Sequence, residues 1–367
     1  MPPMPRTPTP LPVVDRPIRF AVVGLGQISE LVLPTYAQRA DIDVVGLCDR
    51  DPERLARWQG VFPQARATTE LDELCSVDAD VVDVLVPTPQ HADVATAVLD
   101  AGYHVQLQKP LARDLEGADR VLAAAERSGA SLRVMEDYVF YPPLVRLRDL
   151  VADGSIGSPA GIHMKIVATG RGGWDVPMSS YRWQFEQARD GRGMLVFDHG
   201  WHQLAVADWL FGPVTRIFGW VGATEVAPEA APGLTIDAPA TLVWEHATGV
   251  RGVLDITFAP ETYFRSDYYT GDERIEVTGT AGSVRLTRIS AKGIQEPAIV
   301  LYRDGATLHF HDLDDSLADG FAASTAHAVD WLRTGADPVM DGPTAHRVLR
   351  TLLGALESSE RGVPIDL

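Results

Sequence analysis

The stretch AVVGLGQISE, residues 21–30, decides the fold. An apolar, β-branched run ends at Gly24, a second glycine follows at Gly26, and a helical pattern begins directly afterwards. The first glycine permits a tight turn, and the second lets the backbone approach a pyrophosphate at the amino end of the helix. Ser29 holds the third position, where glycine or alanine is usual, and serine is small enough for close helix packing. The stretch therefore predicts the phosphate-binding turn of a dinucleotide-binding fold.

Strand and helix patterns alternate outward from this turn through residues 18–138. Buried strands are predicted at IRFAVVG, DVVGLCD, DVVDVLVPT, YHVQLQ and SLRVM. Helical patterns lie between them, and Pro34 inside the first is expected to kink that helix or end it early. Strict alternation of this kind is typical of a doubly wound parallel sheet. We therefore predict an α/β dinucleotide-binding domain over residues 18–138.

The pattern changes after residue 138 to longer strands joined by glycine-containing turns, as in RIEVTGTAGSVRL. Such runs predict an α+β domain over residues 139–367, with a large, mostly antiparallel open sheet. Residues 1–17 form a proline-rich tail. We expect this tail to be disordered or loosely extended, or alternatively to pack as an arm on a neighbouring subunit.

Composition narrows the class of protein. The 367 residues, 46% of them hydrophobic, suit two globular domains. A formal net charge of -18 argues against nucleic acid or an anionic membrane as partner and favours a small ligand. Two cysteines cannot form a disulfide framework, and no apolar run of about 18 residues could span a bilayer. We expect a cytoplasmic protein.

Charged residues follow two of the predicted strands. Asp49 ends the second strand, where a carboxylate would accept the ribose hydroxyls and repel a 2'-phosphate, so NAD is the expected cofactor. Arg50 leaves NADP possible, because a guanidinium can pair with that phosphate or merely stack on adenine. In HVQLQKPLA, Pro110 biases Lys109 toward an extended backbone at a strand's carboxyl end. Ligands collect at that end of an open α/β sheet, although a lone lysine there is more often a solvated charge.

Several segments together resemble the Gfo/Idh/MocA oxidoreductases, a family named for glucose-fructose oxidoreductase, inositol dehydrogenase and a rhizopine catabolic protein. The similar segments are VPTPQHADVATAVLDAGYHVQLQKPLA, GRGMLVFDHGWHQLAVADWLFG, RIEVTGTAGSVRL and DPVMDGPTAHRVLRTLLGALESSERGVPIDL. They occur in the family's order, and the similarity covers nearly the whole chain from Ile18. The resemblance implies a Rossmann domain, an NAD(P)-dependent enzyme, and oxidation or formation of a secondary hydroxyl on a sugar, glycoside or cyclitol.

The resemblance also assigns catalytic residues. The family's Glu-Lys-Pro motif falls on Gln108, Lys109 and Pro110, and its acid and histidine fall on Asp198 and His202. His202 would act as the base at the hydroxyl, Lys109 would stabilise alkoxide charge, and Asp198 would orient a partner or bind a second hydroxyl. Asp198 and His202 would share one face of the segment if it is helical. Gln108 departs from the family's glutamate and removes a negative neighbour of the lysine. The glycine run before Asp198 is also spaced one residue differently.

The remaining site predictions concern the cofactor and the substrate. We expect the cofactor to be contacted by Gly24, Gly26, Gln27, Ile28, Asp49, Arg50, Pro87, Thr88, His91, Gln108 and Lys109. For Thr88 and His91, helix capping is the alternative. Aromatic planes and guanidinium donors suit a polyhydroxylated ring, so ATGRGGWDVPMSSYRWQFEQ is predicted to be a sugar-binding loop, with an ordered interdomain loop as the alternative. The predicted substrate contacts are Tyr138, Arg171, Trp174, Tyr181, Arg182, Trp183 and His199. No Cys/His cluster has zinc-ligand spacing, so no metal is predicted.

Two other functions and the oligomeric state stay open. A family member could sense dinucleotide and sugar without catalysis, although binding alone needs no base. A redox-neutral glycosidase or epimerase could oxidise and re-reduce its substrate. We also expect a homodimer or homotetramer, because the open sheet would leave an apolar face exposed in a monomer. The residues expected on that face are Val243, Val253, Leu254, Ile256 and Phe258.

Overall fold

The computed structural model describes residues 6–173, 178–226, 233–268, 271–289 and 295–367, with the backbone alone for residues 178–181. Two compact units form. The first comprises Met1–Asp137 and Phe321–Leu349, and the second comprises Tyr138–Gly320 and Arg350–Leu367. The sequence pattern predicts one domain over residues 139–367. The structure instead groups Phe321–Leu349 with the first unit, because this segment packs there.

The first unit contains a six-stranded parallel sheet in the order β3-β2-β1-β4-β5-β6, which confirms the doubly wound α/β prediction. Its strands are β1 (Ile18–Val23), β2 (Ile42–Cys48), β3 (Arg66–Thr68), β4 (Val81–Val84), β5 (His104–Gln108) and β6 (Leu132–Met135). Its helices are α1 (Ser29–Ala37), α2 (Pro52–Val61), α3 (Leu71–Leu74), α4 (His91–Asp100) and α5 (Leu115–Ser128). Strands β4, β5 and β6 are buried throughout, as expected for near-continuous apolar runs in a parallel sheet, whereas the edge strand β3 is partly exposed.

Helix α1 differs from its prediction. It continues through Pro34 to Ala37 rather than breaking at the proline. Proline removes one helical hydrogen bond, but Val32, Leu33 and Tyr36 are all buried, and this packing holds the helix across the gap. Strand β3 has three residues and α3 has four, lengths at which a sequence pattern gives no usable periodicity.

The second unit contains a nine-stranded sheet in the order β16-β15-β14-β13-β7-β12-β11-β8-β17. All neighbouring strands are antiparallel except β7 and β12, so the sheet is mixed but mostly antiparallel, as predicted. The elements up to β16 are α6 (Pro142–Ala152), β7 (Pro159–Arg171), α7 (Met178–Ala188), a π-helix (Met194–His199), α8 (Gly200–Phe211), β8 (Val214–Val221), β9 (Thr224–Glu225), β10 (Thr235–Ile236), β11 (Ala240–His246), β12 (Arg251–Tyr263), β13 (Gly271–Gly279), β14 (Gly282–Leu286), β15 (Ile299–Arg303) and β16 (Ala306–Phe310). Strands β9 and β10 form a separate hairpin.

The chain ends with α9 (Leu317–Thr334), α10 (Gly342–Arg361) and β17 (Ile365–Asp366). Within the first unit, Arg133 of β6 donates a 2.6 Å hydrogen bond to Ser324 of α9, and Thr35 of α1 lies 2.7 Å from the hydroxyl of Thr325. The backbone N–H of Val134 donates to the carbonyl of Met340 at 2.8 Å. These buried contacts explain why Phe321–Leu349 belongs to the first unit.

The described part of the proline-rich tail, from residue 6 onward, packs on the first unit of its own chain. Arg16 makes two hydrogen bonds of 2.6 and 2.7 Å to the buried carboxylate of Asp80. The N–H of Val13 donates to Leu332, and His104 contacts the carbonyl of Thr9 at 2.8 Å. This packing differs from the expected disorder of the tail, because its polar groups find specific partners on α9, on β5 and at Asp80, directly before β4. Contact of the tail with a neighbouring subunit stays a prediction.

Two features bear on the expectations from composition. Cys48 and Cys75 are free and buried, and burial raises their pKa values to about 11 and about 12. Among the residues that the structure describes, no helix combines the length and apolar character needed to cross a membrane.

The open face of the large sheet is more polar than expected. Leu254 and Ile256 are 0% and 1% exposed and lie on the covered face, because successive residues of a strand point to opposite sides. Val243 and Val253 are register partners on the open face, but Asp255 and Lys165, which lie opposite each other on neighbouring strands, add charged residues to the same face. Trp220 is 62% exposed and contacts Phe218 edge to face. An interface on this face would therefore combine aromatic contacts with a polar surround.

We predict that the protein is a homodimer or homotetramer that uses this face. Light scattering at micromolar concentration should give a multiple of the chain mass, and Trp220→Glu should lower it by burying a charge in the interface. Val61→Glu is the matched control, since Val61 is an exposed apolar residue of the first unit. A monomeric mass for the unmodified protein would contradict the prediction.

Candidate active site

The glycine turn after β1 is shaped by a close backbone contact. Gly24 has φ +91°, and a Cβ there would lie 2.7 Å from the carbonyl carbon of Leu85 and the nitrogen of Val86, so only glycine fits. At Gly26 the corresponding space is open, with the Arg54 guanidinium as the nearest group at 3.6 Å. The Ser29 hydroxyl donates to the carbonyl of Gly26 at 2.6 Å and closes the turn onto α1. This open cradle at a helix amino end fits the pyrophosphate of NAD.

Asp49 ties the end of β2 to the same turn. One carboxylate oxygen accepts a 2.6 Å hydrogen bond from the backbone N–H of Leu25, and the other accepts from the N–H of Asp51 at 2.8 Å. Arg54 of α2 lies 3.9 Å from the carboxylate, whereas Arg50 is exposed. Arg54 therefore joins the candidate cofactor residues. The sequence pattern missed it because helix periodicity alone did not show that this face of α2 meets the glycine turn.

The imidazole of His91 lies between two backbone carbonyls. Its side chain is buried, with Nε2 2.9 Å from the carbonyl of Val86 and Nδ1 2.7 Å from the carbonyl of Pro110. The two carbonyls follow β4 and β5, so the imidazole connects the loop containing Pro87 and Thr88 to the loop that contains Lys109. Thr88 is also buried, at the start of a short 3₁₀ turn over Thr88–Gln90. His91 thus holds two loops of the cofactor edge against each other.

Lys109 stands at the carboxyl end of β5, on the same edge of the sheet as the glycine turn and Asp49. The side chain of Gln108 folds back so that its oxygen accepts a 2.8 Å hydrogen bond from the backbone N–H of Lys109. Its amide nitrogen lies 3.6 Å from the sulfur of Met135. Gln108 therefore orders the backbone of the lysine loop.

In the second unit, Asp237 holds the start of the π-helix. Its two carboxylate oxygens accept 2.7 Å hydrogen bonds from the backbone N–H groups of Leu195 and Val196. Burial raises the pKa of Asp237, and these hydrogen bonds oppose the rise. A Cβ at Gly193 would lie 2.0 Å from the carboxylate carbon, so a larger residue at this position would displace the Asp237 carboxylate. The glycine run before Asp198 therefore makes room for a buried acid from a distant segment.

Asp198 and His202 fall in different helices. The N–H of Asp198 donates to the carbonyl of Gly193, five residues earlier, and His202 lies in α8. Their four-residue spacing therefore does not by itself place them on one α-helical face. Asp198 accepts a 2.9 Å hydrogen bond from Gln184 of α7. The imidazole of His202 is 2% exposed and stacks on the ring of Tyr138, with centroids 4.2 Å apart and planes 12° from parallel.

A buried carboxylate that the sequence pattern missed lies at the centre of this cluster. Glu273 of β13 accepts hydrogen bonds from the Tyr138 hydroxyl at 3.0 Å, from His199 Nε2 at 2.9 Å and from Gln203 Nε2 at 2.6 Å. Burial alone would raise the pKa of Glu273, but His199, His202 and the Tyr138 hydroxyl outweigh it and hold that pKa below its usual value. The available signal was the alternation of β13, which puts Glu273 at the same inward positions as Ile275 and Val277.

The predicted sugar-binding segment is partly helical. Helix α7 covers Met178–Ala188, whereas the sequence pattern predicts a loop there; residues 178–188 contain neither glycine nor proline to interrupt a helix. Arg171 ends β7 and is exposed, Arg182 is exposed on α7, and Trp183 is half-buried. Trp174 and the side chain of Tyr181 lie outside the described residues.

Comparisons with known proteins agree with this architecture. The family model described as an oxidoreductase family with an NAD-binding Rossmann fold matches residues 18–136, and the GFO/IDH/MocA C-terminal domain matches residues 144–285. A D-apiose dehydrogenase of Paraburkholderia graminis is 30% identical over 268 residues, covering 73% of this chain and 67% of the relative. A myo-inositol 2-dehydrogenase of Thermotoga maritima is 24% identical over 95% of this chain and 98% of the relative. The WlbA dehydrogenase from Bordetella pertussis, solved in complex with NADH and UDP-GlcNAcA, has a TM-score of 0.78 and 23% identity over 97% of this chain and 99% of that structure.

We predict that Asp49→Ala weakens NAD binding about tenfold or more, since a hydrogen bond to a charged group contributes about 1.5–3 kcal/mol. The variant should also discriminate less between NAD and NADP, because the repulsion of the 2'-phosphate is removed. Isothermal titration calorimetry with both cofactors measures the change. Asp43→Ala is the control, because Asp43 is an exposed carboxylate near the other end of β2. A preference of the unmodified protein for NADP would refute the assignment and direct attention to Arg50 and Arg54.

Proposed function

The chain belongs to the Gfo/Idh/MocA oxidoreductases, and from this premise we propose that it is an NAD-dependent dehydrogenase acting on a secondary hydroxyl of a sugar, glycoside or cyclitol. The reverse reaction, reduction of the corresponding ketone, uses the same residues. The observation that carries the proposal is the position of Lys109 on the carboxyl edge of an NAD-binding sheet, alongside the glycine turn and Asp49.

The reaction sets two requirements for the protein. An alcohol that loses a hydride from carbon must also lose a proton from its hydroxyl, and the developing negative charge on oxygen needs a stabilising donor. NAD, when bound, supplies the hydride acceptor. We assign proton removal to His202 and stabilisation of the oxygen to Lys109. Asp198, with one oxygen bound to Gln184, is proposed to bind a second hydroxyl or orient a partner.

The setting of His202 supports its assignment. The imidazole is buried against the Tyr138 ring, which limits its rotation. The described residues of the second unit therefore restrict the orientation of His202, as a proton acceptor requires.

The proposed substrate class follows from relatives and from chemistry. The relatives are named for D-apiose and myo-inositol, and the WlbA structure holds UDP-GlcNAcA. All three are polyhydroxylated. Arg171, Arg182 and Trp183 supply guanidinium donors and an aromatic plane of the kind that binds such compounds. Trp174, Tyr181 and His199 complete the proposed contacts.

A substrate screen tests the proposed function. Sugars, inositols and glycosides are incubated with NAD and, in parallel, with NADP, and NADH or NADPH is followed by its absorbance. We expect net NADH formation with at least one polyol. Product formation without net NADH would instead support the redox-neutral glycosidase or epimerase, and cofactor binding without any turnover would support the sensor.

We predict that Lys109→Ala and His202→Ala each lower kcat about 10²-fold or more, because each removes a group that acts on the reacting oxygen. NAD binding, measured by calorimetry, should be largely unchanged. Lys165→Ala and His311→Ala are the controls, because both residues are exposed on the second unit. Rates near those of the unmodified protein in either catalytic variant would overturn its assignment.

A further inference from the structure

We propose that Glu273 is a positioning residue that holds His202 in its working orientation through Tyr138, His199 and Gln203. The inference rests on the proposed function of His202 and deepens it. Glu273 is assigned no contact with substrate or cofactor. Its effect would reach the reaction through the side chains that it binds.

Glu273 joins three elements of the second unit that are distant in sequence. Tyr138 begins a short 3₁₀ turn, His199 ends the π-helix, and Gln203 lies in α8. One carboxylate oxygen accepts from Tyr138 and His199, and the other accepts from Gln203. Three directed hydrogen bonds to one buried carboxylate fix these elements more closely than apolar packing would.

Three side chains that Glu273 binds link it to His202. The ring of Tyr138 stacks on the imidazole, so fixing the tyrosine hydroxyl fixes the surface against which His202 packs. Gln203 follows His202 in α8, so anchoring its side chain limits rotation of that helical turn. The His199 ring also lies edge-on to His202, with centroids 5.6 Å apart. Two rings in contact with His202 are therefore bound by Glu273.

The choice of a carboxylate is otherwise unexplained by packing. Glu273 is 2% exposed, and the next inward residues of β13, Ile275 and Val277, are both fully buried and apolar. Burying a carboxylate is costly unless donors satisfy it, whereas an apolar residue would fill this position without that cost. The acid in this apolar row therefore serves to orient its three donors.

The matched pair Glu273→Ala and Glu273→Gln separates positioning from charge. The Oε1 atom of Gln203 has no hydrogen-bond partner among the described residues. When Gln203 rotates its amide, glutamine at 273 can donate to that oxygen and still accept from Tyr138 and His199. Glu273→Gln therefore preserves the three contacts without the charge, while Glu273→Ala removes all of them. Glu276→Ala is the control, since Glu276 lies on the opposite face of the same strand.

The first measurement needs no substrate. Diethylpyrocarbonate modifies accessible imidazoles, and mass spectrometry reports the rate at each histidine. We expect Glu273→Ala to raise the rate at His202 severalfold while the rate at His246, another buried histidine of the second unit, stays unchanged. Glu273→Gln and Glu276→Ala should leave both rates unchanged. Equal increases at His202 and His246 would show general loosening of the unit and overturn the proposal, as would no increase at His202.

The second measurement is kinetic and uses the polyol on which the unmodified protein turns over. Glu273→Ala should lower kcat about 10- to 100-fold with NAD affinity unchanged, because small misplacements of a catalytic group have effects of that size. Glu273→Gln should retain most of the rate. In a His202→Ala background, Glu273→Ala should cause no further loss, since the two act through one imidazole. A full additional loss there, or Glu273→Gln as slow as Glu273→Ala, would contradict positioning.

Two outcomes separate this inference from the proposed function. If His202→Ala keeps a normal rate, the proposed role of His202 as the base fails. If His202→Ala is slow and folded Glu273→Ala is normal, only the role of Glu273 fails. Should Glu273→Ala not fold, Tyr138→Phe replaces it, because it removes one hydrogen bond to Glu273 and retains the ring. It should lower kcat and raise the modification rate at His202, and normal values of both would overturn the proposal.

Discussion

The cofactor edge of the first unit depends on a steric constraint at Gly24. Because no Cβ fits between Gly24 and the backbone of Leu85 and Val86, the turn after β1 can lie directly against the loop after β4. The N–H of Leu85 then donates to Val23 at 2.8 Å. This contact aligns the ends of β1 and β4, the two central strands. Asp49 follows β2 and Lys109 follows β5, the strands on either side of this central pair. Any larger residue at Gly24 would separate these loops and disturb the whole edge.

The second unit is organised by buried acids instead. Asp237 fixes the backbone at the start of the π-helix, and Glu273 binds side chains at its end and in α8. Both carboxylates come from segments more than thirty residues away in the chain. They accept from groups that would otherwise lose hydrogen bonds to water on burial. The segment carrying Asp198, His199 and His202 is therefore held at both ends by distant parts of the second unit.

The contrast between the glycine turn of the first unit and the buried acids of the second explains which site residues the sequence could predict. The glycine turn, Asp49 and Lys109 each follow a predicted strand, so local pattern alone places them on one edge of a parallel sheet. The alternation of β13 places Glu273 on the inward face, but neither its neighbours nor those of Asp237 show which distant groups these acids bind. The helical state of Met178–Ala188 was missed because glycines and a proline just before it suggested a loop. In a π-helix each backbone N–H bonds to a carbonyl five residues earlier instead of four. This change likewise leaves no periodic signal in the sequence.

The formal net charge likewise does not show which carboxylates are buried. The net charge of -18 counts every carboxylate equally, yet Asp80, Asp83 and Glu273 are buried and bound to specific donors. Asp49 and Asp237 similarly accept backbone N–H groups. Such acids stabilise turns, helix starts and side-chain orientation and add little to the surface potential that a partner meets. The acidic composition therefore includes carboxylates that stabilise the interior as well as carboxylates on the surface. Only the contacts of each carboxylate show to which group it belongs.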